Sequence, residues 1–167
     1  LIDIEIDGIT NSILNTISGD SFQTEVLPFR DYDLKFITKN NGWRFNWKSE
    51  YKNKHNDFYK LIIVGNPHII QGIICISDET DHYYLHLIES APFNFGKNKL
   101  YIGVPGNLFA FTCKLSKEKG YNGFVAFKSK TKLINHYQNT LGAIPLKNSN
   151  KMIIYPEQAE KLITRYF

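Results

Sequence analysis

The residues with most chemical content lie in one run, Gly96 to Gly142. Within it, Gly103 and Gly106 form a glycine loop leading into a segment whose apolar residues Leu108, Phe109, Phe111, Thr112 and Leu115 recur at helical spacing. The first N–H groups of a helix lack a partner inside it, and the macrodipole adds positive charge there, so this loop suits a phosphate or pyrophosphate. Other reactive side chains are less well placed. His82 and His86 share a predicted strand face, but four residues of strand span about 13 Å, too far to ligate one metal ion. Ser18, Ser90 and Ser116 stand in no Gly-x-Ser-x-Gly frame. Cys75 and Cys113 form no Cys-x-x-Cys pair and read as buried thiols, so neither metal nor disulfide is expected.

The elements that must position this loop can be read on either side of it. Phe58 to Gly65 and Ile69 to Ser77 are apolar, β-rich runs turned by Asn66-Pro67, and His82 to Ala91 makes a third strand stopped by Pro92. The helix after the loop ends at Lys119-Gly120, Gly123 to Lys128 reads as a short buried strand, and Lys130 to Leu141 as a second helix closed by Gly142. Residues 143–146 and 151–155 form a final hairpin. Pro156, with Glu157 and Glu160 behind it, opens a terminal helix to Phe167. The apolar face of that helix, Ala159, Leu162, Ile163 and Tyr166, needs a partner, either the domain itself or a second copy in a homodimer. At the other end, Ile2, Ile4 and Ile6 alternate with acids and predict an outer strand over Leu1 to Asp7. Thr10 or Asn11 caps a short predicted helix stopped by Gly19, and Ser21 to Phe29 is extended. Residues 30–56 show no clear period. Their Trp43 and Trp47 read as aromatics pinning a loop onto the core, with lining of an acceptor pocket as the alternative.

This order of strand, glycine loop, helix, strand and helix, with Tyr137 late in the second helix ahead of Leu141-Gly142-Ala143, resembles the GNAT superfamily of acetyl-CoA-dependent N-acetyltransferases. The resemblance covers about residues 58–155. In the family's cofactor loop, Gly103 takes the first glycine, Pro105 the second small position and Leu108 the apolar position. Leu100 stands where Gln or Arg is usual, and Lys130 where the second helix often opens with Asn. The resemblance implies a single α/β (α+β) domain over 1–167, with a mixed, mostly antiparallel central sheet flanked by helices. It further implies an acetyl-CoA or other acyl-CoA co-substrate and an amine acceptor, joined in a ternary complex. The cofactor would contact Ile88 and Ser90 by backbone pairing in a cleft beside the third strand. Tyr101, Gly103, Val104, Gly106 and Asn107 would meet it at the loop, and Lys130 near the ribose.

Attack by an amine needs its lone pair free, so a carboxylate at the cleft could take the ammonium proton, and Glu89 is the candidate. Strand parity puts Glu89 with Tyr83, Leu85 and Leu87 on one face; the alternative is a structural pair with Lys99. By resemblance, Tyr137 donates a proton to the leaving thiolate, a role a phenol of pKa ~10 can fill. The alternative is packing beside Leu133, Ile134 and Leu141.

The 167 residues, 43% hydrophobic, suffice for one domain with a sizeable core. No run approaches the ~18 apolar residues of a membrane span, and the acidic first residues do not resemble a secretory signal, so a cytoplasmic location is expected. A net charge of +4 lacks the dense basic face expected of a nucleic-acid binder, and nucleic acid is not an expected partner. A GNAT-shaped protein-interaction module without catalysis is the competing reading, favoured by Leu100 and Pro105, and behind it stands a nucleic-acid-binding domain using the lysine-rich helix ends with Trp43 and Trp47.

Overall fold

The computed structural model describes residues 1–167. Its centre is a seven-stranded sheet built from β3 (Thr24–Pro28), β4 (Asp57–Ile63), β5 (Asn66–Asp78), β6 (Tyr83–Ser90), β8 (Val125–Lys128), β9 (Ile144–Pro145) and β10 (Lys151–Ile154), in the order β3-β4-β5-β6-β8-β10-β9. All neighbours are antiparallel except β6 and β8, which run parallel. A small second sheet pairs β1 (Ile13–Asn15) with β2 (Ser21–Phe22) and β7 (Tyr101–Ile102). The helices are α1 (Trp47–Glu50), α2 (Val104–Glu118), α3 (Ile134–Leu141) and α4 (Pro156–Tyr166).

Two apolar cores sit on opposite sides of the sheet. The larger packs α2 residues Leu108, Phe109 and Cys113 and the α3 residues Tyr137 and Leu141 against Leu85, Ile88 and Phe127 of the strands. The smaller gathers Trp43, Trp47, Phe29 and Ile37 over Phe58, Ile73 and Cys75. Residues 30–56 therefore have a fold after all: 3-10 turns over Asp31–Phe36 and Lys39–Asn41 followed by α1, pinned by two buried tryptophans. Helix α2 comes close to β5 because Gly72 has no side chain; a Cβ there would sit 2.6 Å from Val104 Cγ1. The apolar face of α4 is covered from within, since Ala159 and Leu162 are buried in the larger core.

Several expectations are corrected. Leu1 to Asp7 is not a strand: Ile2, Ile4 and Ile6 are buried as the alternation requires, but Ile2 makes only an isolated bridge to Ser129. The predicted helix before Gly19 is a hairpin. There Asn15 Oδ1 accepts from the N–H groups of Ile17 and Ser18, a side-chain turn that competes with helix formation. The β4–β5 turn is Val64-Gly65, with Gly65 at φ +92°, and Asn66-Pro67 already belongs to β5. The second helix opens as a 3-10 turn over Thr131–Leu133 before α3 begins.

Buried among these elements is one ion pair. Lys60 Nζ lies 2.7 Å from Asp33 Oδ1, with side chains 2% and 0% exposed, and Asp33 Oδ2 also accepts the Arg30 N–H. Removing one partner strands the other charge. Lys60→Met is expected to cost about 3–5 kcal/mol, and the Asp33→Leu/Lys60→Met double variant to recover most of it. Urea unfolding of both variants measures this; a double variant as unstable as Lys60→Met would show that a stranded Asp33 charge is not what the single change costs.

Candidate functional site

Strands β6 and β8 stay paired only over Tyr83↔Val125, Tyr84↔Ala126 and Leu85↔Phe127. Beyond Leu85 they part, and β6 turns one edge, His86 to Ser90, toward the opening. The predicted cleft beside Ile88 and Ser90 is thus present. Near it α2 begins, with Gly103 as N-cap at φ +97°, a left-handed conformation that favours glycine. A Cβ on Gly103 would also lie 2.3 Å from Thr10 Oγ1.

The helix starts earlier than the sequence pattern suggests. Val104, Pro105, Gly106 and Asn107 form its first turn, so Gly106 is helical and is not part of a loop. The Asn107 N–H donates to Gly103 O at 3.0 Å and is not free for a ligand. Helix geometry leaves the N–H groups of Val104 and Gly106 without intrahelical partners, and Pro105 at the second helical position removes one that would also be unpaired. Asn107 Nδ2 donates to Thr24 Oγ1, while its Oδ1 is buried with no protein partner.

The N-terminal segment fills much of this cleft. Ile2 N–H donates to Lys128 O at 2.7 Å, and Lys130 N–H donates to Ile2 O at 3.0 Å. The Tyr137 hydroxyl donates to Ile4 O, and Ile6 N–H donates to His136 Nε2 at 2.8 Å. At the helix end, Asp7 Oδ1 accepts from Gly103 N–H and Asp7 Oδ2 from Lys99 Nζ, both at 2.9 Å. Lys130 holds the segment's Asp3, and that contact lowers the Asp3 pKa. Beside the segment lies a cavity of about 390 Å³ bordered by Ser90, Arg44, Lys99 and Lys132.

Glu89 is not where parity placed it. Cys75 pairs with Leu87 and Ile76 with Leu85, so His86 is an extra residue in a β-bulge. The bulge reverses the alternation, sending Tyr83, Leu85 and Ile88 to the α2 side and Leu87 and Glu89 to the tryptophan side. There the Glu89 carboxylate accepts from Arg44 N–H at 2.7 Å, Phe45 N–H at 3.2 Å and Trp47 Nε1–H at 2.8 Å. Arg44 Nε lies 3.6 Å from it, and Glu89 is 1% exposed. This geometry makes Glu89 an anchor for residues 43–47 and replaces the suggested pair with Lys99, which binds Asp7. Tyr137 is fully buried among Phe109, Phe127 and His136. Burial, followed by the charges of Asp3 and Glu5, raises its pKa, so its phenol keeps its proton. Tyr101 pairs with Asn15 in the small sheet and stacks edge-on with Phe22. Burial pushes the Cys75 thiol up to about 12 and raises Cys113 further, so neither is a ready nucleophile.

Sequence reading misses Asp7 and Arg44 and pairs Lys99 with Glu89 in place of Asp7. Asp7 was read as the solvent side of an outer strand, and no local pattern ties it to a loop 96 residues away.

No protein-family profile and no curated protein matches the chain. Solved structures do. An AtaTR structure bound with AcCoA superposes at a TM-score of 0.55 and 14% identity, covering 84% of this chain and 98% of that one. AtaT complexed with acetyl-methionyl-tRNAfMet gives 0.56 at 15% identity over 84% and 99%. A KacTA–DNA complex gives 0.54 at 15% identity over 85% and 99%. The chain has the GNAT fold, and the expected mixed sheet flanked by helices is present.

The anchoring role of Glu89 has a measurable signature. Glu89→Gln replaces a charged acceptor of several N–H groups with an amide, and is expected to cost about 2 kcal/mol or more in urea unfolding. Unchanged stability with a shifted pH–rate profile would instead return Glu89 to the role of base.

Proposed function

We propose that this domain binds acetyl-CoA or another acyl-CoA in the cleft between β6 and β8 and transfers the acyl group to an amine by direct attack in a ternary complex. The observation that carries this reading is the Asp7 carboxylate seated on the Gly103 N–H at the start of α2: the cradle holds an anion, as a pyrophosphate site must. The GNAT fold shared with an AcCoA-bound neighbour supports the same ligand class.

The residues divide the work by position. The N–H groups of Gly103, Val104 and Gly106 would hold phosphate oxygens, with Lys99 supplying a cation beside them. The free edge of β6 at Ile88 and Ser90 offers backbone groups to an extended ligand. When bound, an acyl-CoA supplies an electrophilic thioester carbonyl and a thiolate leaving group. Tyr137 holds a proton at its hydroxyl, and that hydroxyl is available to a leaving sulfur once Ile4 O no longer accepts it. Glu89 acts by position: it fixes Arg44, whose guanidinium stacks 3.9 Å from the Phe95 ring centre at the cavity wall.

For the acceptor, we propose the α-amino group of an aminoacyl-tRNA as the class to test first. The neighbour complexed with acetyl-methionyl-tRNAfMet supports it, and it restores nucleic acid to the partner classes that the modest charge had argued against. Arg44 and Lys132 at the cavity mouth are cations such a partner could meet.

Isothermal titration of the purified chain with acetyl-CoA, with Lys99→Glu as control, tests the ligand. Saturable binding weakened in the control is expected; no heat from acetyl-CoA or any other acyl-CoA ester, with the native chain or with a variant lacking the Asp7 carboxylate, would reject the reading. In acetyl transfer to an aminoacyl-tRNA pool, Tyr137→Phe is expected to lower kcat about a hundredfold, within the usual range for a lost general acid. An unchanged kcat would assign Tyr137 to packing alone.

A further inference from the structure

The segment from Ile2 to Gly8 does more than cover the core. It follows the opening between β6 and β8 from one end to the other. Ile2 pairs with the backbone of Lys128 and Lys130 where the strands part, Ile4 O takes the Tyr137 hydroxyl, and Asp7 puts a carboxylate on the Gly103 N–H. Beyond Asp7, Gly8 O lies 3.3 Å from where a Gly106 Cβ would stand, so the segment also passes over the first turn of α2. Its chemistry runs in the same sequence as that of a ligand with an extended amide-bearing arm and an anionic head: backbone in the cleft, an acceptor at the phenol, a negative charge at the helix N-terminus.

We infer that residues Ile2–Gly8 are an intramolecular competitor of the acyl-CoA, seated in its groove and displaced when it binds. This inference rests on the acyl-CoA reading of the cleft. The same Gly103 N–H cannot serve both Asp7 and a phosphate oxygen with a full hydrogen bond to each, and the Tyr137 hydroxyl has a single proton to donate. The contacts at either end are charged and exchangeable. Asp7 is tied to Lys99 and Asp3 to Lys130, so an incoming phosphate would find those cations already turned toward the groove. What holds the segment against displacement is Ile2, Ile4 and Ile6, which are 2%, 7% and 5% exposed and would have to leave the core. The open form is then a minor population, and the apparent affinity for ligand is reduced by that fraction.

Two variants loosen the segment by different means. Asp7→Ala removes the carboxylate from the cradle. Ile2→Pro removes the N–H that donates to Lys128 O and changes no charge. Both variants of the whole chain are titrated with acetyl-CoA beside the native chain after thermal melts have shown cooperative folding. Each variant is expected to bind at least tenfold more tightly than the native chain. Measurable binding in the variants with none in the native chain would be the same result in stronger form. Tighter binding by Asp7→Ala alone, with a folded Ile2→Pro at native affinity, would mean simple charge repulsion at the cradle and would overturn the inference. Equal affinities in all the proteins would overturn it while leaving the acyl-CoA reading intact. No binding by any of them would remove both.

Discussion

A parallel strand pair that parts after three residues releases backbone donors and acceptors that still need partners, and the rest of this molecule is arranged around that requirement. On the β8 side the need is met by Ile2, which bonds Lys128 and Lys130 as a further strand would. On the β6 side the strand has no partner beyond Leu85, and its last residue, Ser90, borders a cavity. The opening persists because β6 is held on both faces. On one face it packs against α2, brought close to the neighbouring β5 by Gly72; on the other lies the tryptophan cluster that Glu89 fastens to the end of the strand. Buried polar groups here position a site because their partners leave them no alternative geometry.

The two cores explain how the arrangement can be stiff at its base and exchangeable at its mouth. Near Tyr83 and Leu85, the strands, α2 and Phe127 form continuous apolar packing. Toward Ser90, the contacts become ion pairs and single hydrogen bonds, involving Asp3, Asp7, Lys99 and Lys130. The Asp3–Lys130 pair is solvent-exposed and individually weak, while the more buried Asp7–Lys99 pair presents a cation that another anion can take over. The site therefore lies where the structure passes from packing to electrostatics.

Much of the sheet was legible in the sequence because its strands announce themselves. The runs around Phe58, Ile73 and Leu85 are apolar, β-branched and bounded by turn residues, and the order of strand, helix and strand around Gly103 carried the fold. Four things escaped for physical reasons. The bulge at His86 is one unpaired residue, invisible to a period-2 count, yet it moved Glu89 to the other face of the sheet. The burial of Ile2, Ile4 and Ile6 was read rightly, but alternation reports which side is buried and says nothing about what the backbone pairs with. The start of α2 was set too late because Pro105 and Gly106 read as loop residues, although a proline fits the first turn of a helix well. Tyr137 was placed in the right helix, while the identity of its partner, Ile4 O, depended on a contact across 133 residues that no local pattern encodes.

The account turns on one groove having two alternative occupants. Amide hydrogen exchange on the whole chain, followed residue by residue across a titration with CoA, observes both at once. Ile2 and Ile6 are predicted to lose protection as Val104 and Gly106 gain it, with a shared midpoint in ligand concentration. Ile2 and Ile6 keeping their protection while the ligand saturates would contradict the account, because the segment would then be a fixed wall of the site.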